Sequence, residues 1–284
     1  MNKYSRSAVG VTRYNAPMES CAPATGIAFL ASGSRGNATL VHSGGRGVLV
    51  DCGLSAREAG RRIDAAGLGR IAIEAILVTH EHRDHIAGVR VLSRSLGVPV
   101  YASRGTAHAC AERLSDVPDV IVIRAGEEFG TAGFRVQAFR TSHDVAEPVG
   151  YAFQDTIGRR IGIATDTGVL TAEIIEAIAA CEVLGIEANH DVAMLNAGPY
   201  PYHLKQRILS DRGHLSNACA AGALEPLGSD RLRTIVALHL SEQNNLPRLA
   251  RTSMLAAATT LGLRADVLVA HQLQPVCCVL GERS

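Results

Sequence analysis

The sequence has no C-x-x-C pair, no membrane-length apolar run, no internal repeat and almost no net charge, and each absence excludes something. Seven cysteines, at positions 21, 52, 110, 181, 219, 277 and 278, form no even framework. That pattern fits reduced thiols in a cytosolic protein, so a cytoplasmic location is expected. The vicinal pair Cys277-Cys278, between Val276 and Val279, reads as strand packing rather than redox chemistry. No apolar stretch reaches the roughly 18 residues that a membrane helix needs, so no membrane partner is expected. A formal charge of +1 supplies no bulk attraction to nucleic acid, and any basic surface has to be local. No Pro/Ser/Gly-rich run divides the chain. Its 284 residues, 47% hydrophobic and 19% charged, are therefore read as one domain over 26–284 with a sizeable core. The first 25 residues carry Lys3, Arg6 and Arg13 but no apolar segment, so no secretory signal is expected there. Residues 1–25 are expected to be a disordered extension, or a start assigned ahead of Met18.

What the chain does have is the run Thr79-His80-Glu81-His82-Arg83-Asp84-His85. Three imidazoles and a carboxylate, Asp84, fall within six positions, directly after the apolar Ala75-Ile76-Leu77-Val78. That apolar run reads as a buried strand, and strand-end loops are where sites are built. Imidazole with carboxylate suits Zn²⁺, Mn²⁺ or Fe²⁺. His80 and His82 alternate and can reach one ion from extended backbone. Asp84 and His85, on the following turn, can face a second.

Short strands alternate with helices elsewhere. Gly47 to Val50 reads as a strand ending at Asp51, and Ser55-Ala56-Arg57-Glu58 is a capping-box pattern whose helix Gly67 can close. A helix is expected over Ile86 to Leu96, a strand over Val98 to Tyr101, and a half-exposed strand through Phe134, Val136 and Ala138. Thr171 is expected to cap a helix through Cys181, and Ser216 another through Leu227. Ile235 to Leu238 reads as a buried strand, with a long helix after Asn245. The periodicity is that of an α/β fold.

Three more candidate ligands stand at strand ends: His143 after the alternating strand, Asp166 after Ile161-Gly162-Ile163, and His239 after Leu238. One such residue more often satisfies loop backbone. The same pattern at four places favours a metal centre.

His-x-His-x-Asp-His after a short strand resembles the signature of the metallo-β-lactamase-fold hydrolases. The resemblance implies an αββα four-layer sandwich. It also implies His80, His82 and His143 on one metal, Asp84, His85 and His239 on the other, and Asp166 bridging. Asp51, before Cys52-Gly53, resembles the buried aspartate that orients metal histidines. Further segments are similar to the YycJ/WalJ branch of that fold: Leu30 to Asn37, Thr141-Ser142-His143-Asp144, Pro148 to Tyr151, Glu187-Ala188-Asn189-His190-Asp191, Gly213 to Asn217, and His239 to Asn245. The match spans about Ile27 to His271. It implies a cytosolic hydrolase of phosphodiesters, a 5′-to-3′ DNA exonuclease above all, with RNA or a small phosphodiester as alternative substrates.

Two metals sharing a hydroxide nucleophile suit that chemistry. A departing alkoxide needs a proton, for which His214, just ahead of the helix cap Ser216, is the candidate. His190 with Asp191 resembles the histidine–acid pair of the fold's tRNA-processing nucleases; the plainer reading of His190 is a loop histidine. Ser34 and Asn37 either line a substrate pocket or belong to a tight turn built on Gly33 and Gly36. Lys205 and Arg207 either contact substrate or form a solvated helix face. The alternative activities are a cyclic-phosphate phosphodiesterase and a thioester hydrolase of the glyoxalase II kind. A thioester hydrolase has no use for an acid, because a thiolate leaves without one.

Overall fold

The computed structural model describes residues 24–281. The expected N-terminal extension lies outside these residues except for Ala24 and Thr25, and Thr25 already opens the first strand. In chain order the first six strands are β1 (Thr25–Ala31), β2 (Ala38–Ser43), β3 (Arg46–Val50), β4 (Ala72–Leu77), β5 (Val100–Ser103) and β6 (Val120–Ile123). The next seven are β7 (Glu128–Thr131), β8 (Phe134–Arg140), β9 (Val149–Gln154), β10 (Arg160–Ala164), β11 (Val183–Glu187), β12 (Thr234–Leu238) and β13 (Asp266–Val269). The last, β14 (Val276–Leu280), returns to the first sheet and pairs with β1.

Two seven-stranded sheets result, ordered β14-β1-β2-β3-β4-β5-β6 and β13-β12-β11-β10-β9-β8-β7. Each is antiparallel at one side and parallel at the other. The β3, β4, β5, β6 neighbours and the β10, β11, β12, β13 neighbours run parallel. Parallel pairs need crossovers, and helices supply them. They are α1 (Ala56–Ala65), α2 (Arg83–Ile86), α3 (Val89–Leu96), α4 (Arg104–Ala109), α5 (Ala172–Ile178), α6 (Val192–Ala197), α7 (Tyr202–Leu209), α8 (Asn217–Gly222), α9 (Leu224–Leu227) and α10 (Pro247–Thr260).

The facing sides of the sheets share one core, with Ile27, Phe29, Val50 and Leu77 from the first sheet against Val136, Tyr151, Phe153 and Ile163 from the second. Helices α5, α8, α9 and α10 cover the outer side of the second sheet, and α1 and α3 that of the first. This is the expected αββα sandwich. The buried Tyr151 hydroxyl ties the layers together by donating to the Val78 carbonyl at 2.7 Å, just ahead of the histidine run.

Several expected elements come out shorter, for physical reasons. The helix expected over Ile86 to Leu96 breaks at Ala87-Gly88. The carbonyls of Asp84 and His85, which would accept from residues four further on, accept instead from Asn37 N at 2.7 Å and Cys52 N at 2.8 Å. Pro226 cannot donate to Gly222 and crowds its carbonyl, so the helix from Ser216 divides into α8 and α9. The helix capped by Thr171 ends at Ile178, and Ala180 turns the chain at φ 58° so that Glu182 N reaches Arg160 O. The strand expected at Val98 begins at Val100.

Candidate metal centre

Strand ends β3, β4, β8, β10, β11 and β12 all deliver residues to one side of the sandwich, where open α/β sheets place their ligands. Asp51 follows β3, His80 follows β4, and His143 follows β8. Asp166 follows β10, Glu187 ends β11, and His239 follows β12. Asp51, Asp166 and His239 have φ of 59°, 50° and 53°, a left-handed conformation that non-glycine residues rarely adopt outside constrained sites.

The histidine run is seated by close backbone contact. A side chain at Gly53 would put its Cβ 1.6 Å from the Asp84 carbonyl oxygen, and one at Gly88 would put it 1.9 Å from that of Leu54. Glycine at both positions lets the 51–54 loop lie directly on α2. Asn37 completes this seat. Its Oδ1 accepts from Gly33 N at 2.8 Å, and its Nδ2 reaches Asp84 Oδ2 at 3.2 Å and His85 Nε2 at 3.0 Å. Asn37 therefore faces the cluster and steadies Asp84 and His85. Ser34 is exposed and lines a neighbouring cavity.

The donor atoms form two groups. His80 Nε2 and His82 Nδ1 stand 3.1 Å apart, and His143 Nε2 is 3.3 Å from His82 Nδ1. Asp84 Oδ2 is 3.5 Å from both His85 Nε2 and His239 Nε2. Asp166 reaches both groups, with Oδ2 3.3 Å from His85 Nε2 and Oδ1 3.9 Å from His143 Nε2. Ligands held tetrahedrally around Zn²⁺ at 2.0–2.1 Å are about 3.3 Å from one another, so these spacings suit divalent ions. His239 Nε2 is buried without a hydrogen-bond partner, as a ligating atom would be.

Partners on the far side of each ring set the tautomers. Asp51 accepts from Thr79 N and Thr79 Oγ1, each at 2.8 Å, and from His85 Nδ1 at 2.8 Å. With its only proton given to Asp51, Thr79 Oγ1 can accept from His80 Nδ1 at 3.0 Å. His143 Nδ1 donates to the Gly213 carbonyl at 3.1 Å. The Nε2 lone pairs of His80, His85 and His143 consequently point into the centre.

The residue that sequence reasoning passed over is Glu187, fully buried at the end of β11. Its Oε1 accepts from His214 Nδ1 at 2.8 Å and from His239 Nδ1 at 3.0 Å, and its Oε2 accepts from Thr167 N and Leu215 N. The histidine–acid pair of this site is thus His214–Glu187. The expected pairing of His190 with Asp191 is not formed: Asp191 caps α6 through Met194 N, and both ring nitrogens of His190 are buried without a partner. Burial lowers His190 to about 4, which keeps it neutral. The signal for Glu187 was present as an acid directly after an apolar strand, the pattern already noted at Asp51.

Charge explains the titration of the cluster. Burial by itself would lower His85, His214 and His239, but nearby carboxylates outweigh it. Asp166 and Asp51 raise His85 well above its ordinary value, Glu187 and Asp166 raise His214, and Asp166, Asp84 and Glu187 raise His239 to about 10. Burial works in the opposite direction on Glu187, yet His214 and His239 bring it down to about 2. His80 goes well below its ordinary value through burial, with His85 adding to the effect. Buried carboxylates in this density call for cations, whether protons or metal ions.

A cavity of about 200 Å³ opens beside the cluster, with His143, His214 and His239 in its lining. Arg207 also lines it and pairs with Asp144, while Lys205 turns away to the Asn196 carbonyl. His42, in β2, is a buried histidine away from the cluster. Among the described residues no helix is long and apolar enough to cross a membrane.

Residues 46–239 match the beta-lactamase superfamily domain. Exodeoxyribonuclease YycJ of Bacillus anthracis is 39% identical over 230 residues, covering 80% of this chain and 87% of that protein. Exodeoxyribonuclease WalJ of Streptococcus pneumoniae is 35% identical over 247 residues, covering 85% and 91%. The metallo-β-lactamase fold protein YhfI of Bacillus subtilis superposes with a TM-score of 0.68 at 16% identity, over 90% of this chain and 100% of that one.

Proposed function

The chain belongs to the β-lactamase superfamily, and within it to the family of the YycJ and WalJ exodeoxyribonucleases, and we propose that it hydrolyses DNA phosphodiesters from a strand end. His80, His82 and His143 would hold one divalent ion, Zn²⁺ or Mn²⁺, and Asp84, His85 and His239 a second, with Asp166 shared. Bound there, such ions supply Lewis-acid polarisation of the phosphate and a nucleophile available near neutral pH.

The chain's own residues do the rest. Asp51 and Glu187 fix the rings of His85 and His239, and Asn37 holds Asp84. The observation that carries the phosphodiester reading is His214. Its Nδ1 is committed to Glu187, so Nε2 is the atom that carries a proton to the leaving oxygen, and Glu187 stabilises the imidazolium beforehand. An alkoxide needs that proton, whereas a thiolate does not. Asp191, as a helix cap, and His190, a neutral buried ring, have no part in the transfer.

The test is a turnover panel with Mn²⁺ or Zn²⁺ on 5′-labelled single- and double-stranded DNA, RNA, a ribose cyclic phosphate and a glutathione thioester. DNA is expected to be the best substrate by at least about tenfold. Faster turnover of the thioester or the cyclic phosphate would replace this reading.

A further inference from the structure

The cavity beside the metal centre has walls of two kinds. On one side Tyr200 is followed by Leu204 and Ile208, one turn apart on α7. None of the α7 residues is buried in the core, and Leu204 and Ile208 line the cavity together with Tyr200, which precedes the helix. Two hydroxyls also line the cavity. Ser34 makes no hydrogen bond within the described residues, and Ser241 Oγ accepts from Asn244 N at 3.1 Å with its own proton left to give. The Arg207 guanidinium stands at the rim with its Nε on Asp144.

Size and chemistry together select the occupant. Drug-sized ligands fill about 300–1,000 Å³. A cavity of about 200 Å³ excludes a base pair and admits one nucleoside. A ring and two branched aliphatics offer a face for stacking any base, and sequence-tolerant strand binding uses such surfaces. The hydroxyls suit sugar or base-edge groups, and the guanidinium suits a phosphate.

We propose that this cavity seats the terminal nucleoside of a DNA single strand on the leaving-group side of the cut, its base against Tyr200 and α7, its 3′ oxygen at His214 and its 5′ phosphate at Arg207. The proposal rests on the phosphodiesterase reading and adds which side of the bond is held, and by what. The oxygen of a water joins phosphorus. The P–O3′ bond breaks with its electron pair on O3′, His214 Nε2 gives O3′ a proton, and a proton from the water returns to His214 through solvent. One nucleoside 5′-monophosphate leaves per cut.

Calorimetric titration of the Mn²⁺-loaded protein with thymidine 5′-monophosphate and with inorganic phosphate tests the cavity. The nucleotide is expected to bind at least about tenfold more tightly, the scale of one stacked base. Leu204→Trp, which fills the cavity from an element outside the core, is expected to bring the two ligands within about threefold. Equal binding of nucleotide and phosphate by the unmodified protein overturns the proposal, and so does an undiminished preference in Leu204→Trp. A single-stranded circle should resist cleavage while the linear strand is consumed; cutting both at one rate overturns it as well. Failure to hydrolyse any DNA would refute the phosphodiesterase reading, whereas the titration still decides the cavity separately.

Discussion

Glu187 and His214 are joined at 2.8 Å through a carboxylate oxygen that also reaches His239. A single buried acid therefore orients two histidines that line the cavity, one of which, His239, is a candidate metal ligand. Glu187→Gln keeps the size and an acceptor but loses the charge behind both rings. Catalytic turnover is expected to fall about 10–100-fold, the usual effect of losing such an orienting partner. The melting temperature should change by only a few degrees. Unchanged turnover would show that the two rings need no help from Glu187.

Asp166 is within reach of both donor groups, so Asp166→Ala should abolish turnover and weaken both ions. His239→Ala should release one ion more readily than the other. Elemental analysis after reconstitution should approach about two metals per chain in the unmodified protein. A folded protein that binds no metal would refute the centre.

His214→Ala should slow DNA cleavage by about 10²–10⁴-fold with metal content intact. A nitrophenyl phosphodiester should lose much less, because nitrophenolate leaves without a proton. Equal losses on both substrates would assign His214 to phosphate binding, and loss of metal would make it a ligand.

Tyr151→Phe removes the donor to the buried Val78 carbonyl. That carbonyl is then unsatisfied, at a cost of about 1–3 kcal/mol. Urea unfolding should show a lower midpoint with an unchanged slope; an unaltered midpoint would mean that another donor reaches Val78.

His42 lies in β2 away from the site, and burial lowers its value from 6.5 to about 4. Between those values the unfolded chain binds a proton that the folded one does not. This contribution to stability is complete above about pH 6.5 and is lost as the pH falls toward about 4. Between pH 7 and pH 5, His42→Gln should lose less stability than the unmodified protein. Parallel losses would mean that His42 is protonated within the fold.

The histidine run and the candidate ligands at the ends of β8, β10 and β12 were legible because an apolar run followed by a donor is a local pattern. Glu187 obeys the same pattern, but the adjacent His190-Asp191 drew attention to a pair that sequence proximity does not make. Asp191 stands directly ahead of α6 as its N-cap and spends its carboxylate on Met194 N, which no alternation of apolar residues reveals. Asn37 was legible as part of a turn but not as the partner of Asp84 and His85, 47 and 48 residues away. The break between α2 and α3 was hidden for the same reason, since the groups that take the helical carbonyls belong to distant loops. Long-range hydrogen bonding overrode local propensity at Asn37 and at the break between α2 and α3.

The left-handed backbone at Asp51, Asp166 and His239 bears on how this protein could be altered. A non-glycine residue there gives up about 1–2 kcal/mol relative to an ordinary conformation. Glycine would relieve that strain, yet it would take away a side chain of the candidate metal centre. Screens that reward only heat resistance or expression yield are therefore drawn toward these three positions, and variants recovered there would be sturdy and inert.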